Sequence, residues 1–207
     1  MFANNLTAID IVFILLTVLI SMTIHEFMHA YVGYKLGDPT ASEQGRLSLN
    51  PLSHIDPLMT IILPIITLVL FGFPILAAKP VPFNPERVKY GEYGAAMLAA
   101  AGPLSNLVLA VLGELAYHHL AGGTAISNFF QWFVLLNVVM FVFNLIPIPP
   151  LDGSRVLYAF APEPVQDFMR SIERFGLFII IALILIGGFD GVLVRLYNDV
   201  LSLIGRV

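Results

Sequence analysis

The sequence predicts an all-α polytopic membrane protein, with about four transmembrane helices, one broken or re-entrant hydrophobic segment, and short β or extended loops near a polar site. Three observations carry this. Of 207 residues, 58% are hydrophobic and only 12% charged, whereas a soluble domain is about half apolar and a quarter charged. Four apolar runs reach the about 20 residues that crossing a bilayer requires. A fifth run is equally apolar but is interrupted by Pro64, Gly72 and Pro74.

The first run covers roughly Leu6 to Lys35. Met1 to Asp10 carries no Lys or Arg, and no small-residue cleavage site precedes the histidines that follow. The run therefore reads as a retained helix and not as a cleaved signal peptide. Residues 37–56, "GDPTASEQGRLSLNPLSHID", are polar and rich in turn formers. Within them "GRLSLN" alternates polar and apolar, the pattern of a short strand. Pro57 to Ala78 is the broken apolar run. Lys79 to Tyr93, "KPVPFNPERVKYGEY", is expected to be extended, because proline removes backbone donors and turns its predecessor away from helix. Ala95 to Leu120 and Ser127 to Ile146 are the second and third spans. Pro162 to Arg174 mixes charged and apolar residues at helical spacing and suits the membrane surface. Phe175 to Val194 is the fourth span. At this length one domain is expected over residues 1–207. Its core would be about 6–155, and 156–207 would add the amphipathic segment and the last helix. The net charge of −4 is small and unclustered, which gives no reason to expect a nucleic acid partner. There is no cysteine, so any metal must be held by His, Asp or Glu.

"SMTIHEFMHAY", residues 21–31, puts three ionisable groups into the first apolar run. Such residues are costly in a bilayer and usually functional. His25 and His29 are four apart, on one helix face, where both imidazoles reach one zinc ion. Glu26 lies beside them, placed to take a proton from water and pass it to a leaving amine. The plainer alternative is a pair of core histidines satisfied by neighbouring helices. A catalytic zinc takes three protein ligands, and the best third candidate is Asp152 in "FNLIPIPPLDGSR", residues 143–155. Pro147, Pro149 and Pro150 end the preceding helix and deliver that carboxylate at the edge of an apolar segment. Taken alone, "LDG" is an ordinary turn. Rival carboxylates are few: Glu114 lies inside a span, and Asp10, Asp56, Glu92 and Asp190 lie near segment ends.

Asn144, eight residues before Asp152, could hold a substrate backbone or donate to a developing oxyanion, or merely join two helices. Asn106, in "AAAGPLSN", falls among the small residues Ala99, Ala100, Ala101, Gly102 and Ser105, a stretch read as helix packing. His54 and Asp56 read as turn residues at the membrane boundary, with a second metal site as the minority alternative. His118 and His119 are adjacent, do not share a helix face, and read as surface residues.

Together these stretches are recognisable. "HEFMH" in a first apolar helix, "GRLSLNPLSHIDP" after it, then "AKPVPFNP", "AGPLSN" and "NLIPIPPLDG" resemble the site-2 protease family of intramembrane zinc metalloproteases, over about Ile11 to Arg155. The resemblance implies one Zn2+ per chain on His25, His29 and Asp152, Glu26 as catalytic base, and substrate binding by Asn144. It also implies transmembrane proteins as substrates, and a compact prokaryotic form without a PDZ or nucleotide-binding domain, in the prokaryotic cell membrane.

A substrate helix has no free carbonyl and must unwind, which strand addition to an exposed edge would assist. Arg46, Leu47, Ser48 and Leu49, or the extended "KPVPFNP", could supply that edge. Geometry and charge also predict topology. His25, His29 and Asp152 meet at one depth only if Pro57 to Ala78 enters and leaves on one face. That arrangement puts Lys35, Arg46, Lys79, Arg87, Lys89, Arg155, Arg170 and Arg174 on one side and Arg195 and Arg206 on the other. The positive-inside rule then sets the site nearer the cytoplasmic face. Two other classes remain open at this point: a membrane metal transporter, and a catalytically silent binder of membrane helices.

Overall fold

The computed structural model describes residues 6–71, 79–120, 122–186 and 190–205. Helix α1, Ala8–Lys35, starts where a capping box allows it. The Thr7 hydroxyl accepts from Asp10 N–H, and the Asp10 carboxylate accepts from Thr7 N–H at 3.0 Å. A short helix α2, Thr40–Glu43, and a 3-10 turn, Pro51–Ser53, follow. The broken apolar run opens as a π-helical turn, Pro57–Ile62, and continues as α3, Leu63–Phe71. Helices α4, Glu92–Leu120, and α5, Thr124–Asn144, are the other long elements. Then come α6, Asp152–Phe160, α7, Glu163–Glu173, α8, Gly176–Leu185, and α9, Asp190–Leu203.

Among the described residues, three helices are long and apolar enough to cross a membrane: Ala8–Lys35, Glu92–Leu120 and Ala125–Asn144. The chain is an all-α, multi-pass membrane protein. Helix α4 is central and packs on α1, α5 and α6. Ala110, Val134, Val138 and Val142 form a buried seam between α4 and α5, and Tyr197, Val200, Leu201 and Ile204 of the C-terminal region close over it. Large aliphatic side chains on the outside, such as Ile9, Val12, Leu15 and Leu112, are exposed. This is the reverse of a soluble protein and suits a lipid solvent.

Two expectations are corrected. Residues 45–50 form no β ladder among the described residues. The Arg46 N–H donates to Ala41 O at 2.8 Å, and Ser48 O accepts from the His54 ring at 2.8 Å. The alternation reflects burial of Arg46 in a tethered loop with bends at Leu47 and Leu49, and not pairing with a strand. The fourth span is not one continuous helix over Phe175 to Val194. Helix α8 has 10 residues, about 15 Å at 1.5 Å per residue, half the hydrocarbon thickness. A separate helix starts at Asp190, a residue type favoured at helix starts.

Residues 72–78 of the Pro57 to Ala78 run lie outside the described residues, and the residues flanking the run meet. Lys79 N–H donates to His54 O at 3.1 Å. The Arg46 guanidinium, 4% exposed, donates to Ser53 O, Lys79 O and Pro80 O. One side chain thus clamps the entry and exit of the run. Nearby, the buried Asp38 carboxylate accepts from Thr40 N–H and Asn84 N–H at 3.0 and 2.6 Å. Lys89 N–H donates to Leu36 O at 2.8 Å. These bonds pin the proline-rich stretch to the end of α1.

Candidate metal centre

His25 and His29 lie on the inner face of α1, 5% exposed each, with Glu26 between them 8% exposed. At 1.5 Å per residue they sit about 9 to 15 Å from the Lys35 end of the helix. Asp152 opens α6. The Asn144 end of α5 leads through a proline-rich turn to Leu151, whose extended backbone starts the new helix. Gly153 makes the turn possible: a Cβ there would lie 2.2 Å from Leu145 O.

This delivers Asp152 Oδ2 to within 3.2 Å of His25 Nε2 and 3.3 Å of His29 Nε2. The two Nε2 atoms are 3.0 Å apart. The three residues form a group able to hold one metal ion. Ligand atoms at about 2.0–2.2 Å from a tetrahedral zinc are separated by about 3.3 Å, so the triangle has nearly the right edges. A second observation concerns the space beside it. Gly102 of α4 faces the imidazoles, and a Cβ on it would lie 2.3 Å from His29 Nε2 and 2.6 Å from His25 Nε2. The cradle exists because residue 102 has no side chain. Helix α4 tolerates Pro103 immediately after it, and Ser105 Oγ donates to the Gly102 carbonyl at 2.6 Å.

Both rings are anchored through their other nitrogen. His29 Nδ1 lies 2.8 Å from Leu98 O. A carbonyl only accepts, so Nδ1 carries the proton and Nε2 presents its lone pair to the cluster. His25 Nδ1 lies 2.6 Å from Asn106 Oδ1. Such anchoring is the usual partner of metal ligation.

The remaining candidates are placed as follows. Asn144 is half-buried at the end of α5, and its Nδ2 donates to Met140 O at 2.9 Å. Arg46 points inward to the clamp described above. Burial lowers its pKa, and the Glu26 and Asp56 carboxylates act in the opposite direction. Leu47 and Ser48 are half-buried and Leu49 is exposed. His54 is wholly buried and committed to Ser48 O, apart from the metal-binding group. His118 pairs with Glu114 at 3.1 Å on α4. Gly102 and Asn106, which sequence alone favours as helix packing with a role for Asn106 as the minority alternative, lie at the centre of the site; "HEFMH" is the signal that invites a search for small residues and amide partners facing it.

Comparison with known proteins agrees with this chemistry. The sequence profile of peptidase family M50 matches residues 57–187. "Putative zinc metalloprotease YwhC" of Bacillus subtilis is 38% identical over 180 residues, covering 83% of this chain and 79% of that protein. "Putative zinc metalloprotease Rip2" of Mycolicibacterium smegmatis is 32% identical over 178 residues, covering 81% of this chain and 64% of that protein. "Zinc metalloprotease RasP" of Oceanobacillus iheyensis is 28% identical over 99 residues, 40% of this chain and 23% of that protein. No solved structure matches the chain.

Proposed function

This chain belongs to peptidase family M50, and on that premise we propose that it cuts other membrane proteins in or beside their transmembrane segments, with zinc on His25, His29 and Asp152 and Glu26 handling protons. It is a zinc metalloendopeptidase, and its substrates are membrane proteins. One observation carries the assignment of residues: two imidazole nitrogens and a carboxylate oxygen converge to 3.0–3.3 Å in an apolar helix bundle, beside a glycine that leaves them room.

Zinc, when bound, supplies a Lewis acid for the scissile carbonyl and an acidified water. His25 and His29 hold it through Nε2 while their Nδ1 protons stay engaged. Glu26, buried on α1 one residue after His25 and three before His29, accepts the proton from the attacking water and returns it to the amide nitrogen as the C–N bond breaks. The surrounding helices exclude bulk water, which strengthens every charge interaction at the site. Asn144, at the α5 end of the turn that carries Asp152, is suited to bind the substrate backbone once its bond to Met140 is exchanged.

The substrate must present an extended segment. Arg46 N–H and Ser48 O are bonded inward, which leaves the backbone of Leu47 and Leu49 to meet an added substrate strand. Substrates with Gly, Pro or Asn in the cut helix are expected to be hydrolysed faster than matched substrates without them, and equal rates would refute this.

In this reading residues 1–207 work as one domain in a prokaryotic cell membrane, with the site nearer the cytoplasmic face. The meeting of His54 and Lys79 supports entry and exit of the intervening run on one face. Reporter fusions at the N-terminus are expected to report an extracytoplasmic position. Transport and silent helix binding gain no support from the site.

The decisive experiment is metal analysis of the purified protein together with cleavage of single-span membrane proteins. Glu26→Gln is expected to retain zinc and lose turnover by about 100-fold or more. Wild-type turnover in the Glu26→Gln form would overturn the role of Glu26.

A further inference from the structure

Asn106 of α4 and Asn137 of α5 are both 0% exposed, in the apolar heart of the bundle. Two amides buried side by side are costly unless each polar atom is matched. Here they form a chain that ends on His25. Asn137 Nδ2 donates to Phe133 O at 2.8 Å. Asn106 Nδ2 donates to Asn137 Oδ1 at 3.0 Å and approaches Met140 Sδ at 3.9 Å. Asn106 Oδ1 faces His25 Nδ1 at 2.6 Å.

The direction of this chain is set at its far end. Phe133 O is a backbone carbonyl and can only accept, so the Asn137 atom facing it must be nitrogen. That turns Asn137 oxygen toward Asn106, which must answer with its own nitrogen, and Asn106 oxygen is left for His25. Reversing either amide alone would set two donors or two acceptors against each other. A neutral His25 must then carry its proton on Nδ1 and keep Nε2 bare.

We propose that Asn106 and Asn137 are positioning residues of the metal centre: a two-amide relay, anchored on the Phe133 carbonyl, that fixes the tautomer and heading of His25. The inference rests on the reading that His25 ligates zinc through Nε2. His29 reaches the same state through the Leu98 carbonyl, which no side-chain substitution removes. The relay thus makes His25 the mutable half of the pair.

The test uses the purified full-length chain in detergent. Zinc affinity is measured by chelator competition, the visible spectrum is taken after cobalt substitution, and imidazole 15N shifts are recorded without metal. Loss of an outer partner of a metal-bound histidine typically costs 10- to 100-fold in affinity. Asn106→Leu removes the acceptor and is expected to weaken zinc binding by about that factor, to shift the cobalt bands, and to populate both His25 tautomers. Asn137→Leu leaves Asn106 free to turn over and is expected to weaken binding in the same direction. Asn106→Asp keeps the acceptor toward His25 but sets a second oxygen against Asn137 Oδ1, so it is expected to bind zinc more tightly than Asn106→Leu and to keep the proton on His25 Nδ1. If Asn106→Leu fails to fold, the Asn137→Leu and Asn106→Asp pair carries the comparison. Wild-type affinity and cobalt spectrum in both leucine variants, with wild-type zinc intact, would overturn the relay while leaving the protease reading standing. A wild-type chain that takes up no zinc would instead overturn the reading beneath it.

Discussion

Replacing Gly102 by alanine should abolish metal binding while leaving the helix intact. A Cβ at that position would lie 2.3 Å from His29 Nε2 and 2.6 Å from His25 Nε2, where ordinary contact begins at 3.4 Å. The rings would have to retreat by about 1.1 and 0.8 Å, against the about 0.2 Å tolerance of a metal–ligand distance. They cannot retreat freely, because Nδ1 of each is bonded to Leu98 or Asn106 on the same α4 helix that carries the new methyl. Helix propensity acts in the opposite direction: alanine is better than glycine in a helix interior by about 1 kcal/mol. Zinc stoichiometry by mass spectrometry, and the thermal midpoint with and without a chelator, separate the two effects. The expected outcome is a folded protein with little zinc, no peptidase activity, and a midpoint that no longer depends on the chelator. A Gly102→Ala protein with one zinc per chain and normal turnover would refute the cradle and the reasoning behind it.

Other perturbations follow from the clamp and the loops. Arg46→Leu removes the bonds to the carbonyls of Ser53, Lys79 and Pro80, at about 0.5–1.5 kcal/mol for each bond lost. A lowered thermal midpoint is expected, and Arg46→Lys should recover it only in part, because a single ammonium cannot reproduce the fork. An unchanged midpoint for Arg46→Leu would remove the clamp from the account. Burial pushes the Asp38 carboxyl up, but the Thr40 hydroxyl and the Thr40 and Asn84 N–H groups outweigh it and hold it below the usual carboxylate range. A depressed carboxyl stabilises the fold above its unfolded pKa of about 3.9, and that contribution is lost as pH falls through the lower folded value. Denaturant titrations are therefore expected to show Asp38→Asn losing stability at neutral pH and converging on wild type at the acid end. Parallel curves would contradict this.

The parts of the site set by local geometry were legible in the sequence. Helical periodicity alone puts His25 and His29 on one face, and a scarcity of buried carboxylates singles out Asp152. Asn106 could not be assigned by the same means. Its partner is 81 positions away, and an amide among alanines has the same composition whether it packs a helix or holds an imidazole. Gly102 was correctly seen as permitting close approach, but the approaching groups are imidazoles and not helix backbone. In residues 45–50 the alternation was real and its cause was misread: Arg46 faces inward to bind carbonyls, which a period-2 pattern cannot distinguish from a strand. The fourth span failed for a similar reason, since apolar composition continues past Ile186 while helix α8 does not.

The central claim is that one ion is held jointly by two residues of the first helix and one that is 123 positions beyond His29. Zinc-edge X-ray absorption on the purified protein tests it most directly. The account predicts two imidazole nitrogens and carboxylate oxygen at about 2.0–2.2 Å, and loss of the oxygen contribution with weakened binding in Asp152→Ala. Zinc bound with unchanged affinity and an unchanged absorption edge in Asp152→Ala would contradict it.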